Sequence, residues 1–213
     1  MSSAASDVYK RQILPLGKLI FEHVCRFIKA HPLDELGLSY IEVNLSVIQC
    51  ASADLATDYI DIMRRFGISP KHINLEITET ASTSTKKALL KNMGKLIDYG
   101  TSFSLDDFGT GQSNLDYIID LPVQIAKFDR VMTQAYFSSQ RASQVMNAAI
   151  RMIHDMGLSI VSEGVETEAE LRAIQALGVE YIQGYFFSKP LSEQDFLEYL
   201  ENFQPPEEDE AVS

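Results

Sequence analysis

The sequence has few cysteines and few basic residues. Among its 213 residues there are two cysteines, Cys25 and Cys50, which excludes a disulfide-rich scaffold and leads us to expect reduced thiols. Lys and Arg number 18 against 30 Asp and Glu, which gives a net charge of −12. Because a partner with a phosphate backbone requires a basic face, we expect no binding to a DNA or RNA duplex.

Long hydrophobic runs are also missing. No apolar stretch approaches the roughly 18 residues that a membrane helix requires, so we expect no membrane segment. We find no charged-then-apolar secretory leader and expect a cytoplasmic protein. The hydrophobic content of 46% and the charged content of 23% are typical of a globular chain.

The hydrophobic pattern divides the chain into three parts. Residues 1–12 show no periodicity and are expected to form a disordered leader. Residues 13–203 show the periodicity of a folded domain, beginning with a helix from Ile13, and no Pro-, Gly- or Ser-rich linker divides them. Residues 204–213 form an acidic tail that we expect to be solvated.

Strand-like and helix-like segments alternate within this domain. The predicted strands are Tyr40–Leu45, Ile73–Thr78, Ser102–Asp106, Val123–Phe128, Ser159–Ser162 and Tyr181–Gln183. The predicted helices after the first are Leu55–Phe66, Lys86–Tyr99, Asn114–Asp120, Arg130–Met156 in one or two pieces, Thr167–Leu177 and Ser192–Phe203. This alternation predicts parallel βαβ units in an α/β fold.

Two α/β architectures fit six such units, a doubly wound sheet and a (β/α)₈ barrel. A barrel requires eight strands and about 250 residues, so this chain is about two strands short. The polar residues at the strand ends favour the barrel, because the carboxyl ends of barrel strands meet at one mouth. These residues are Asn44, Glu76, Asp106, Asp107, Lys127, Glu163 and Gln183.

The residue types at these strand ends indicate a metal-dependent reaction. Carboxylate and amide oxygens suit Mg²⁺ or Mn²⁺ rather than zinc, and the four histidines show no ligand spacing. The adjacent Asp106 and Asp107 could serve two cations, which together activate a water and stabilise a leaving oxygen in phosphoryl transfer. Lys127 would add an ammonium near that water or a phosphate oxygen.

Six segments of this sequence together resemble the EAL family of bacterial cyclic-di-GMP phosphodiesterases. They are EVNLS (42–46), LEITET (75–80), LDDFGTGQSNL (105–115), AKFD (126–129), SEGVETEAE (162–170) and LGVEYIQGYFFSKPL (177–191). The resemblance implies a TIM-like (β/α)₈ barrel of the EAL type, with about six of its eight strands present here. It also implies hydrolysis of cyclic di-GMP to pGpG with two Mg²⁺ or Mn²⁺ ions, and no organic cofactor.

The resemblance further implies a role for each site residue. The metal ligands are Asn44, Glu76, Asp106, Asp107 and Glu163. The residues that hold or orient water are Lys127, Glu163, Glu166 and Gln183. Glu79 corresponds to a glutamate that braces the loop from Phe108 to Asn114, which covers the site.

One departure from the family bears on activity. The sequence contains no Glu-Ala-Leu, the motif that names the family and whose glutamate ligates the first metal. We therefore expect impaired turnover in this chain and expect the sequence to be a fragment of a longer protein. Without two strands, edges would open along Tyr40–Leu45 and Tyr181–Gln183. In place of the fragment, the leader could fold into the gap, or two chains could complete each other, and for the chain's partners we expect a homodimer.

Two alternatives to the cyclic-di-GMP phosphodiesterase remain at this point. The chain could be a non-catalytic module of the same fold that binds cyclic di-GMP or a protein partner. It could also be an unrelated metal hydrolase with oxygen ligands on the same barrel.

Overall fold

The computed structural model describes residues 3–78, 83–110 and 118–204 of the chain. The strands are β1 Ile41–Leu45, β2 Ile73–Ile77, β3 Ser102–Phe108, β4 Ile125–Phe128, β5 Ser159–Glu163 and β6 Tyr181–Gln183. The helices are α1 Ser3–Ala30, α2 Val47–Cys50, α3 Leu55–Phe66, α4 Thr83–Tyr99, α5 Arg130–Ser138, α6 Gln140–Asp155, α7 Glu168–Gln175 and α8 Glu193–Asn202. A 3₁₀ turn at Pro70–His72 and a helical turn at 118–120 complete the described elements.

The six strands form one parallel sheet in the order β1-β2-β3-β4-β5-β6. A doubly wound sheet reverses its strand order at a switch point, whereas a barrel adds each strand beside the previous one. The observed order is that of a barrel, and the sheet with its helices is a half-barrel. The predicted TIM-like fold with six strands is therefore confirmed.

The two faces of the sheet differ in polarity because side chains alternate along each strand. The register partners Val43, Leu75 and Phe103 are buried on the face that packs against the helices. The other face lines the inside of the half-barrel and is polar. There Asn74 donates a hydrogen bond to Ser102 Oγ at 2.9 Å and accepts one from Ser104 at 2.7 Å, so these buried polar groups are satisfied.

Helix α1 is longer than the sequence indicated. It begins at Ser3 and takes in residues that we expected to form a disordered leader up to residue 12. These residues contain no Gly or Pro and have ordinary helix propensity, so the missing hydrophobic periodicity did not preclude a helix. Further along, Phe21 stacks on Tyr59 of α3 with ring centroids 3.9 Å apart, which fixes α1 against the barrel. The division of the chain into leader, domain and tail stays a prediction.

The sheet leaves two outer edges. Within the described residues β1 pairs only with β2, and β6 pairs only with β5. The first and last helices nevertheless meet: Phe27 of α1 and Phe196 of α8 have ring centroids 6.5 Å apart, and His23 Nε2 lies 3.6 Å from Glu193 Oε2. The helical layer thus continues past the point where the sheet stops.

Hydrogen bonds at the helix ends explain the segmentation of the second half. The predicted helix Arg130–Met156 is divided at Ser139, whose backbone is extended and whose hydroxyl accepts from Ala142 N as an N-cap. Ser192 caps α8, its hydroxyl accepting a hydrogen bond from Asp195 N. None of the described helices has both the length and the hydropathy of a membrane-spanning segment. Cys25 and Cys50 are buried free thiols.

The contact between Gly184 and the turn after β5 generates a stability prediction. A β-carbon at Gly184 would lie 1.9 Å from the Val165 carbonyl oxygen, so Gly184→Ala must push β6 and this turn apart. We expect a loss of about 1–3 kcal/mol in unfolding free energy, measured by urea denaturation. Gly94→Ala is the control, because Gly94 lies within α4 with open space around it, and it should stabilise by about 0.5–1 kcal/mol. Equal effects of the two substitutions would contradict the tight contact.

Candidate metal centre at the strand ends

Three carboxylates from three different strands meet at the carboxyl ends of the sheet. Glu76 is the penultimate residue of β2, Asp106 lies near the end of β3 and Glu163 ends β5. One oxygen from each lies within 4.8 Å of the others. Parallel strands bring their carboxyl ends to one edge, which is why residues far apart in sequence converge here.

A buried lysine lies among these carboxylates. Lys127 of β4 is only 3% exposed, and its ammonium contacts Glu163 Oε1 at 2.9 Å and Glu42 Oε2 at 3.2 Å and also contacts Glu76 Oε1. An isolated ammonium in such a place would be costly, so the three glutamates are what allow it to be buried. The lysine in turn offsets the repulsion between the carboxylates.

The strand β3 is irregular at the two adjacent aspartates Asp106 and Asp107, of which Asp106 belongs to the carboxylate group. In a regular strand Asp106 and Asp107 would point to opposite faces of the sheet. The register pairs Leu105 with Ala126 and Phe108 with Phe128, so two residues of β3 lie opposite one residue of β4. Asp107 has a φ of 56°, which is rare for a residue other than glycine. This bulge redirects the strand at the site.

The environment of the Glu76 side chain favours its neutral, protonated form. Burial raises the pKa of the Glu76 carboxyl from 4.5 to about 7, although its hydrogen bond and charge interaction with Lys127 act in the opposite direction. The negative charges of Asp106 and Glu42 add to the increase. A cation that replaced the proton would stabilise the charged form of this carboxyl.

The neighbouring groups are shifted as well. Burial raises the pKa of Glu163 and of Asp107, with the charge of Asp106 contributing to both. Burial would lower the pKa of Lys127, but its bonds to Glu76 and Glu163 outweigh that effect and hold the pKa above its ordinary value. Lys127 is therefore a fixed positive charge, and the raised pKa values of Glu76, Glu163 and Asp107 favour their protonated forms.

The other predicted site residues are only partly brought into this cluster. Asn44 is the register partner of Glu76 and Gln183 is the register partner of Glu163, so both lie beside the cluster, and both are exposed. Glu166 lies apart: its carboxylate is 2.8 Å from Arg130, and its residue is exposed. Glu79 and positions 111–114 of the expected covering loop lie outside the described residues.

Sequence reasoning missed one residue of this site, Glu42. It contacts Lys127 from β1, across the inside of the half-barrel. A signal was present, because Glu42 is two residues before Asn44 and alternation puts both on the same face of β1. The sequence prediction considered only the strand ends, and Glu42 lies one layer deeper.

The donor set fits a divalent cation. Glu76, Asp106 and Glu163 supply only carboxylate oxygens, which are the ligands that Mg²⁺ and Mn²⁺ prefer. The described residues bring no histidine or cysteine into this group, so the chemistry of a zinc site is absent from it.

A model of a known protein family matches most of this chain. The model for the EAL domain matches residues 5–190. The chain belongs to the EAL domain family, as the sequence motifs predicted. The match begins within α1 and extends past β6, so it includes every strand of the sheet.

Two curated relatives each contain a segment similar to this chain. The cyclic di-GMP phosphodiesterase RocR of Pseudomonas aeruginosa is 33% identical over 156 residues, which is 73% of this chain and 40% of RocR. The signaling protein YkoW of Bacillus subtilis is 29% identical over 188 residues, which is 88% of this chain and 23% of YkoW. The chain thus spans less than half the length of either relative.

A solved structure supports the fold assignment. The PaMucR phosphodiesterase, determined as a complex with c-di-GMP, superimposes with a TM-score of 0.79 at 29% identity. The alignment covers 91% of this chain and 84% of that one. The half-barrel described here is therefore the arrangement of an EAL domain.

The raised pKa of Glu76 predicts how the metal-free protein responds to pH. The folded-state value of about 7 exceeds the ordinary 4.5, so between them the native state holds a proton that the unfolded state has lost. The stabilisation is complete at pH values below the pKa of Glu76 in the unfolded state. It is lost as the pH rises through the pKa of Glu76 in the folded state. The measurement compares the melting temperatures of the native chain and of Glu76→Gln in EDTA. The difference, native minus variant, should decrease as the pH is raised from about 5 to about 8.

A matched control for this measurement is Glu22→Gln. Glu22 pairs with Arg65 away from the strand ends, so this substitution removes a glutamate carboxylate in the same way without altering the cluster. A constant difference between the native chain and Glu76→Gln would contradict the assigned environment of Glu76.

Proposed function

We propose that this chain is a cyclic-di-GMP phosphodiesterase domain that hydrolyses cyclic di-GMP to pGpG with two Mg²⁺ or Mn²⁺ ions. The observation that carries the proposal is the meeting of Glu76, Asp106 and Glu163 around the buried Lys127 at the carboxyl end of a parallel sheet. In barrels of this type that end of the strands is where reactions occur.

The substrate class rests on the relatives. RocR is named a cyclic di-GMP phosphodiesterase, and the PaMucR phosphodiesterase was solved with c-di-GMP bound. Cyclic di-GMP is a dianion, and this chain has a net charge of −12. Cations at the carboxylate cluster would therefore be needed to attract the phosphates as well as to promote the reaction.

We assign the metal ligands as Asn44, Glu76, Asp106, Asp107 and Glu163. Divalent ions at this place would supply Lewis-acid activation of a water and stabilise charge on the leaving oxygen. The bulge in β3 lies at Asp106 and Asp107 and supports this assignment, because it frees two adjacent residues from the strict alternation of faces along a strand.

We assign Lys127, Glu163, Glu166 and Gln183 to the handling of water. The ammonium of Lys127 is buried, permanently charged and rich in N–H donors, so it can hold the attacking water and orient its lone pair toward phosphorus. Glu163 and Gln183 are register partners that can accept and donate hydrogen bonds at the mouth. Glu166 would have to leave Arg130 to take part, and Glu79 would brace the covering loop.

We further propose that turnover by this chain is impaired. The sequence contains no Glu-Ala-Leu, and the glutamate of that motif is the one expected ligand that has no counterpart here. Loss of one carboxylate from a two-cation site lowers the affinity for the cation that it would hold. The same absence favours a second candidate function, a non-catalytic EAL module that binds cyclic di-GMP or a protein partner.

We also propose a homodimer, which the outer edges of β1 and β6 support. An unpaired edge presents backbone N–H and C=O groups that a second chain can satisfy. Sedimentation velocity decides the point: a dimer is expected, and a monomer throughout the micromolar range would contradict it.

Hydrolysis provides the test of the enzymatic proposal. The purified chain is incubated with cyclic di-GMP and Mn²⁺, and pGpG is measured by chromatography. We expect slow formation of pGpG that falls by at least about 100-fold in Glu76→Gln and in Asp106→Asn, because each removes a charged ligand at the reacting centre. Glu22→Gln, which changes a surface glutamate in the same way, should retain the native rate.

Two results would separate the candidates. A folded chain that binds cyclic di-GMP in the presence of Mn²⁺ but forms no pGpG would favour the non-catalytic module. A folded chain that neither binds nor hydrolyses the dinucleotide would contradict both.

A further inference from the structure

Glu42 occupies a place on the inner face of the half-barrel that the proposed metal ligands do not share. It is the register partner of Asn74, whereas Asn44 is the partner of Glu76, so Glu42 lies one layer deeper than the strand ends. Its strand, β1, is separated from β4 by two other strands, yet its carboxylate Oε2 lies 3.2 Å from Lys127 Nζ. The contact therefore crosses the interior of the half-barrel instead of running along the sheet.

Lys127 has three carboxylate partners, and these partners do not all have the same role. An ammonium has three N–H donors, and here Glu42, Glu76 and Glu163 provide three acceptors. Glu76 and Glu163 belong to the cluster that can hold a cation, so their oxygens are needed by the lysine and by the cation. Within the described residues, Glu42 is not part of that cluster and is left to the lysine alone.

We propose that Glu42 is a positioning residue, which keeps the Lys127 ammonium paired and in place when Glu76 and Glu163 turn to a divalent cation. The inference rests on the proposed function, since it concerns the lysine of that site. Lys127 is 3% exposed, and an unpaired ammonium at that depth is costly. Without Glu42, lysine and cation would compete for the same two carboxylates.

The second oxygen of Glu42 supports this role. Glu42 Oε1 is buried, and it has no hydrogen-bond partner within the described residues. A buried acceptor without a donor is unusual and costs free energy. It is also a vacant acceptor beside the ammonium, able to take the N–H that Glu76 releases, so Lys127 can shift toward Glu42 without losing a hydrogen bond.

The experiment measures Mn²⁺ affinity by calorimetry on the full chain, without substrate. Glu42→Gln should weaken Mn²⁺ binding by about 10- to 100-fold, the range found for groups that orient metal ligands from behind. The matched control is Glu22→Gln, because the side chain of Glu22 is 24% exposed, as is that of Glu42, and each pairs with a cationic side chain. Affinity of Glu42→Gln within twofold of the native chain would overturn the proposal.

A second background distinguishes action through the lysine from a general effect of negative charge. In Lys127→Met, or in Lys127→Gln if the first does not melt cooperatively, the substitution Glu42→Gln should change Mn²⁺ affinity much less than it does in the native chain. A loss of the same size in both backgrounds would show that Glu42 acts only as one more negative charge, and would overturn the positioning role.

Hydrolysis measured on the same proteins separates this inference from the proposed function. If the native chain forms pGpG, then at Mn²⁺ concentrations that saturate both proteins Glu42→Gln should lower kcat and leave KM for cyclic di-GMP within about twofold, because the lysine acts on water and not on binding. If the native chain forms no pGpG but its Mn²⁺ affinity depends on Glu42 through Lys127, the phosphodiesterase proposal fails and the role of Glu42 stands.

Discussion

The contact of one buried ammonium with three glutamates is the interaction on which this half-barrel interior depends. Lys127 meets Glu42, Glu76 and Glu163, so β4 is tied through one side chain to β1, β2 and β5. Burial alone would favour the protonated forms of Glu76 and Glu163 and the neutral form of Lys127. Together they allow charge to be held where strand ends converge.

This charge arrangement is also what makes the site responsive. Buried ion pairs add little net stability compared with apolar packing, and the apolar face of the sheet supplies the core through Val43, Leu75 and Phe103. In the proposed function the lysine and the acids instead take part in an exchange, in which a divalent cation would take over carboxylates that Lys127 now holds. Fold stability and chemistry thus belong to opposite faces of the same strands.

Most of the fold could be predicted because it depends on local periodicity. Helix α3 matched the prediction at both ends, and six parallel strands followed from their alternation with helices. The extension of α1 to Ser3 was not predictable from hydrophobic pattern, which only reports helices that bury a face. The bulge at Asp106 and Asp107 depends on pairing with β4, and the contact between Glu42 and Lys127 depends on curvature across four strands. Neither the bulge nor this contact can be predicted from the spacing of residues in the sequence.

The most direct test is a crystal structure of the chain with Mn²⁺, with anomalous data collected above the manganese absorption edge. The account predicts an anomalous peak among Glu76, Asp106 and Glu163, with the Lys127 ammonium moved from Glu76 toward Glu42. No peak at these carboxylates, with Lys127 still bound to Glu76 and Glu163 at saturating Mn²⁺, would contradict it.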